Sequence, residues 1–316
     1  MEKFQTVVVI IAAITLFIHG LQNFSKEIES FGRDRLSRWI NTITDIPLGG
    51  FFLGAIVTAI IQSSTLVSSL TVTLVSSNVI TLRNSLLILL GTNIGNTSTA
   101  WIASFQSSFL GPFFLVLGTV ISIIPGKISV AGKSIFYFGF IFFSLSFISQ
   151  AMEPIKSDPI LVDVLSRAQH PLMGILYGIA ITVIIQSSSV VVGLAIVLIS
   201  QGVLTLETAI PIVVGANIGT TSTALLVSLR LEPMSKLVAM SASTFNLLGV
   251  IITYPFFPKL VNIAQNLTSN PAMQVAAAFT ISNTYVSVFF LIFLKPTLAL
   301  LKKHKWYKQA TEKAAS

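Results

Sequence analysis

The chain has 316 residues, of which 53% are hydrophobic and 9% charged, against roughly 25% charged in an ordinary globular domain. That balance excludes a soluble enzyme, the lack of cysteine excludes a disulfide scaffold, and a mean hydropathy of +0.87 points to a polytopic membrane protein. The formal charge of +8 lies in short segments between apolar runs rather than along one helix face, which speaks for membrane orientation and against nucleic acid.

Residues 5–21 form the first apolar crossing. Only Lys3 is basic before it and no Ala-x-Ala-like site follows, so it reads as a helix rather than a signal peptide. Residues 25–45 interleave Lys26, Glu27, Glu29, Arg33, Asp34, Arg35 and Arg38 with Ile28, Phe31, Leu36, Trp39 and Ile40, which predicts a separate amphipathic helix on the membrane surface. The apolar block 47–81 is broken by Gln62-Ser63-Ser64-Thr65. Each arm is about 15 residues, about 22 Å at helical rise and short of the hydrocarbon thickness, so a re-entrant hairpin is expected. Crossings at 85–105, 109–124 and 133–150 follow. The block 171–205 is then broken in the same way by Gln186-Ser187-Ser188-Ser189, and 209–229, 237–255 and 274–294 complete seven crossings.

The two broken blocks are copies. Residues 47–100 lie over 171–224 without a gap at a constant offset of 124, and roughly half the positions are identical. Gly91-Thr92-Asn93-Ile94-Gly95 falls on Gly215-Ala216-Asn217-Ile218-Gly219. Three crossings separate equivalent points, an odd number, so the halves are expected to be inverted. In that arrangement 15 of the 19 Lys and Arg fall on one side, which makes it cytoplasmic, with the N-terminus outside and the C-terminus inside. The expected fold is an all-α polytopic membrane protein of two inverted-topology repeats, each with a re-entrant helical hairpin and a discontinuous helix. Its parts are residues 1–46 (crossing and surface helix), 47–168 and 169–296 (repeats), and 297–316 (basic cytoplasmic tail, with Trp306 and Tyr307 at the interface).

At a tip of this kind the second arm offers unpaired backbone N–H groups and the positive end of its dipole, which suits an oxyanion at membrane depth. The hydroxyls of Ser63, Ser64, Thr65, Ser187, Ser188 and Ser189 add donors without a fixed charge. The Gly-x-Asn-Ile-Gly stretches read as a second helix break capped by Asn93 or Asn217, or as Gly-xxx-Gly spacings that let helices approach. Thr220 shares a helix face with Thr223, and Asn96 shares one with Thr99. Amide, hydroxyl and carbonyl oxygens without a carboxylate favour an alkali cation over a proton, because no Asp, Glu, Lys, Arg or His occurs within 47–82 or 172–206. A co-bound cation would also offset the charge of an anion in a low-dielectric site.

The paired Gln-Ser-Ser-Ser/Thr tips, each followed by Gly-x-Asn-Ile-Gly-x-Thr, resemble the type II sodium-phosphate cotransporters and their bacterial relatives over most of residues 47–295. The resemblance implies an inverted-repeat symporter in the bacterial plasma membrane that carries inorganic phosphate with sodium ions and has no other cofactor. Phosphate would lie between Gln62, Ser63, Ser64 and Thr65 and Gln186, Ser187, Ser188 and Ser189. Carried-over sodium ligands are Gln186, Ser187, Thr220 and Thr223, with Asn93, Asn217, Asn96 and Thr99 completing the candidate set. The pattern departs from the family where Asn96 faces Thr220 and Thr65 faces Ser189 across the repeats, and where 100–125 lacks an acidic residue. The family's His-x-x-Phe-Asn is reduced to Ser243-Thr244-Phe245-Asn246 and Thr280-Ile281-Ser282-Asn283, to which no mechanism attaches. Expected partners are phosphate, sodium and the lipid bilayer, with a homodimer left open. The competing readings are a symporter of another oxyanion or a carboxylate, and a passive anion channel. An intramembrane serine hydrolase is disfavoured, since His19, His170 and His304 all lie outside the broken blocks.

Overall fold

The computed structural model describes residues 2–43, 46, 48–77, 79–105, 107–156, 158–159, 163, 170–228 and 232–315, without the side chains of 2–3, 31–43, 127, 223–224, 227 and 313–315. It is helical, with no strand among the described residues. Helix α1 (Glu2–Ile43) runs for 42 residues without interruption. The expected division into a crossing and a separate surface helix is therefore corrected: the charged stretch continues the same rod. At about 63 Å this helix is twice the hydrocarbon thickness and must extend beyond it.

The first broken block forms α2 (Gly49–Ile61) and α3 (Ser64–Ser76), and the second forms α8 (Pro171–Ile185) and α9 (Ser188–Ser200). Each of these helices has 13 or 15 residues, too short to span comfortably. Between them lie α4 (Leu82–Gly95), α5 (Ser98–Ser104), α6 (Leu110–Ser122) and α7 (Lys127–Met152); the rest is α10 (Leu206–Ser228), α11 (Pro233–Thr253), α12 (Phe257–Leu267), α13 (Pro271–Ile292), α14 (Leu294–Lys303) and α15 (Lys305–Ala315). By length and composition four stretches can cross a membrane, Phe4–Ser30, Ile128–Ile155, Pro233–Leu267 and Pro271–Ile292. Of the seven crossings expected, 109–124 is the 13-residue α6, and 85–105 is divided between α4 and α5.

The duplication carries into local geometry at the same offset of 124. Gln62 and Gln186 both adopt the left-handed conformation, at φ 60° and 59°, and each donates its backbone N–H to the carbonyl of Thr58 or Thr182. Ser63 and Ser187 then cap the next helix, accepting from the N–H of Leu66 at 3.3 Å and of Val190 at 3.4 Å. Both second arms end alike, with Ile80 N–H reaching Leu74 O and Leu204 N–H reaching Leu198 O. Glycines set the approach of neighbouring helices: a Cβ at Gly91 would overlap the Phe51 carbonyl, and one at Gly215 the Ile175 carbonyl. Thus α2 packs on α4, and α8 on α10, with backbone against backbone.

The expected second break is present in the first copy and absent from the second. In the second copy α10 is continuous from Leu206 to Ser228. In the first copy α4 ends at Gly95 and α5 starts at Ser98; between them Asn96 (φ −61°, ψ −23°) and Thr97 (φ −70°, ψ −20°) keep helical angles, and the chain tightens through Thr97 N–H to Ile94 O and Ala100 N–H to Thr97 O. Neither Asn93 nor Asn217 is a cap; the glycines around them serve close approach.

Two apolar cores result. One joins α2, α3 and α4 to Leu237, Val238 and Phe245 of α11 and to Val286 and Phe290 of α13. The other joins α9 and α10 to Ala13 and Phe17 of α1, Leu145 and Ile148 of α7, and the first half of α13. Trp306 and Tyr307 of α15 pack against the first core, so the C-terminal tail is a folded helix there rather than a solvated end.

Candidate functional site: a cleft between two Gln-Ser tips

The left-handed glutamine ends one helix and the serine cap opens the next, so each tip presents the N-terminal end of α3 or α9. The N–H groups of Ser64 and Thr65, and of Ser188 and Ser189, have no acceptor within their own helix. Both tips converge. Gln62, Ser63, Ser64, Thr65, Gln186, Ser187, Ser188 and Ser189 all line one cleft of about 310 Å³. No charged side chain lies among these eight. The cleft can therefore offer an anion hydroxyl and amide donors together with two helix N-termini.

The two tips differ in state. Gln62 is buried, and its Nε2 donates to Ser98 Oγ at 2.7 Å and to the Ala59 carbonyl, while Thr99 donates to its Oε1 at 2.8 Å. Gln186 is exposed and its amide makes no hydrogen bond among the described residues. The Thr58 and Thr182 hydroxyls, one turn before each tip, are fully buried and unpartnered.

A second, much narrower cleft shares Ser64 and Thr65 with the first and adds Ser68, Thr92, Asn93, Asn96, Asn217, Thr220, Thr221 and Asn246. A chain of amides runs along it. Asn93 Nδ2 donates to Asn246 Oδ1 at 3.0 Å, Asn246 Nδ2 to the Asn217 carbonyl at 2.9 Å, and Asn96 Nδ2 to Asn217 Oδ1 at 3.3 Å. Asn217 Nδ2 donates in turn to Asn283 Oδ1 at 2.8 Å. Ser64 donates to Asn96 Oδ1, and Asn96 to Ser188 Oγ, both at 3.5 Å, which joins the amides to the two tips.

The eight sodium-ligand candidates are not brought to one place. Asn93, Asn96, Asn217 and Thr220 line the second cleft, and Gln186 and Ser187 the first. Thr99 lies in neither lining, its hydroxyl being given to Gln62 with Ser189 Oγ 3.4 Å away, and the Thr223 side chain falls outside the described residues. The roles of two sets of residues were missed in the sequence. Asn246 and Asn283 are part of the amide chain; an uncharged amide inside an apolar helix was the available signal. Gln22, Ser25, Lys26 and Glu29 of α1 line the first cleft, and nothing in their charged surroundings distinguished them from a solvated face.

The family model for the Na+/Pi-cotransporter matches residues 16–150 and 157–255, which includes both tips and both clefts. The chain belongs to the Na+/Pi-cotransporter family. It is 27% identical over 283 residues to "Uncharacterized protein YqeW" of Bacillus subtilis, covering 89% of this chain and 92% of YqeW. It is 28% identical over 256 residues to "Putative inorganic phosphate export protein YjbB" of Escherichia coli, covering 80% of this chain but only 47% of YjbB. A human "Sodium-dependent phosphate transport protein 2B" matches at 36% identity over 103 residues, 31% of this chain and 15% of that protein. No solved structure matches the chain. Membership in the Na+/Pi-cotransporter family supports phosphate transport through a membrane, with sodium as the family's coupling ion.

Proposed function

We propose that this member of the Na+/Pi-cotransporter family is a sodium-coupled symporter of inorganic phosphate that works by alternating access. The observation that carries the reading is the convergence of all eight uncharged tip residues on one cleft. Phosphate binds there between the first turns of α3 and α9, where N–H and hydroxyl donors match its acceptors. Sodium is held by neutral oxygens, those of Asn93, Asn96, Asn217 and Thr220 in the second cleft and of Gln186 and Ser187 in the first. The two copies are inverted repeats entering the membrane as hairpins from opposite faces, with the N-terminus outside and the C-terminus in the cytoplasm, and they rock about the midplane site. The locked Gln62 and the free Gln186 fit one half-site closed and the other open, an asymmetry that alternating access needs.

The test is uptake of labelled phosphate into proteoliposomes of the purified protein under inward gradients of sodium, potassium or choline at equal ionic strength. Uptake is expected only with sodium, and equal uptake with all three would replace the symporter by a channel. Ser64→Ala and Ser188→Ala are each expected to lower uptake at least about ten-fold, the loss of a charge-assisted donor. Unchanged rates in both would remove the tips from the site. The name of YjbB favours a second reading on direction, in which the same site works outward; phosphate-loaded vesicles under an outward sodium gradient report it.

A further inference from the structure

The tip cleft has a third wall. Gln22, Ser25, Lys26 and Glu29 stand at i, i+3, i+4 and i+7 on α1, so they share one face, and all four line the cleft. Ser25 is buried, and its hydroxyl donates at 2.8 Å to the carbonyl of Ile61, the last residue of α2 before the left-handed Gln62. That carbonyl has lost its helical donor because the helix stops there, so the bond both satisfies it and fastens α1 to the first tip. Lys26 follows Ser25 directly and, among the described residues, is the one cation lining the cleft; Glu29 lines it one turn further on.

We propose that Lys26 is the charge-selecting residue of the cleft, resting on the reading of the tips as an anion site. The tips can hydrogen-bond any oxyanion but have no charge with which to prefer a multiply charged one. A lysine fastened at their edge supplies that preference. Its compact ammonium on a flexible stem can follow the anion into the cleft and let it go again, and the carboxylate of Glu29 in the same lining keeps the wall from becoming a trap. Lys26 would thus set affinity and selection while the Ser hydroxyls set geometry.

The experiment is equilibrium binding of labelled phosphate, and separately of sulfate, to the purified protein in sodium, for wild type, Lys26→Gln, Lys26→Arg and Ser188→Ala, with thermal unfolding as a check on folding. Lys26→Gln should weaken phosphate binding about ten-fold at low ionic strength, the loss should shrink as salt rises, and Lys26→Arg should bind within about two-fold of wild type. A folded Lys26→Gln protein that binds phosphate within two-fold of wild type overturns the proposal, and if Ser188→Ala then abolishes binding the tip site itself still stands. Weakened binding in Lys26→Gln with none lost in Ser188→Ala leaves Lys26 as an anion contact but overturns its role as selector of a site made by both tips. Binding of neither anion to the wild type ends both.

Discussion

The Thr58 and Thr182 hydroxyls are buried without a partner at equivalent positions of the two copies. A lone buried hydroxyl costs about 1–3 kcal/mol, and valine has the same shape without the polar atom. Thr58→Val and Thr182→Val should therefore each stabilise the protein, by about 1 kcal/mol, raising its midpoint in detergent thermal unfolding; a fall in midpoint would mean that the hydroxyl has a partner. At this scale the sequence was informative about which residues matter and silent about their state. Gln62 and Gln186 sit in identical local sequence, yet one amide is sealed by Ser98 and Thr99 and the other is open. The difference arises from α5 beside the first tip, a tertiary relation that no local pattern encodes.

Among elements, the broken blocks were legible because four polar residues interrupt an apolar run, and a left-handed glutamine followed by a serine cap is a local solution to that interruption. The Gly-x-Asn-Ile-Gly stretch was ambiguous for a physical reason. Glycine both ends helices and admits a neighbouring backbone; α2 and α8 call on the second role in both copies, and α4 also stops at Gly95 in the first. Gly91→Ala and Gly215→Ala should consequently destabilise by more than about 2 kcal/mol, because each new methyl overlaps a carbonyl of the facing helix rather than a movable side chain. Loss of the monodisperse peak in size-exclusion chromatography would register this, and wild-type behaviour of both variants would argue that the helices are further apart. The continuity of α1 was illegible because its charged face from Lys26 onward has the composition of a surface helix whether or not it continues a crossing.

In the whole molecule, chain order and packing part company: α11 closes the core around the first copy, and α1 and α7 close that around the second. Asn217 is where these bodies meet, touching Asn96 near the first tip, Asn246 of α11 and Asn283 of α13. Asn217→Ala should cost about 1–3 kcal/mol, since it strands the buried oxygen of Asn283 without its donor, and should lower uptake although no tip residue changes. Thermal unfolding beside the proteoliposome assay checks both, and full activity would show that the amide chain is incidental to transport. The seven expected crossings illustrate the limit of hydropathy here, since apolar composition does not reveal that α6 stops after 13 residues.

The glycine seams have a mechanical consequence. Where carbonyls of α2 rest on the Cα atoms of Gly91 and Gly95, and those of α8 on Gly215, no layer of side chains remains to reorient between the helices. Each pair then behaves as a stiff plate rather than two sliding rods. Spin labels placed across one seam should keep a single, narrow distance whatever ions are added, so any motion that carries cargo has to be sought between the plates, where the two tips face one another.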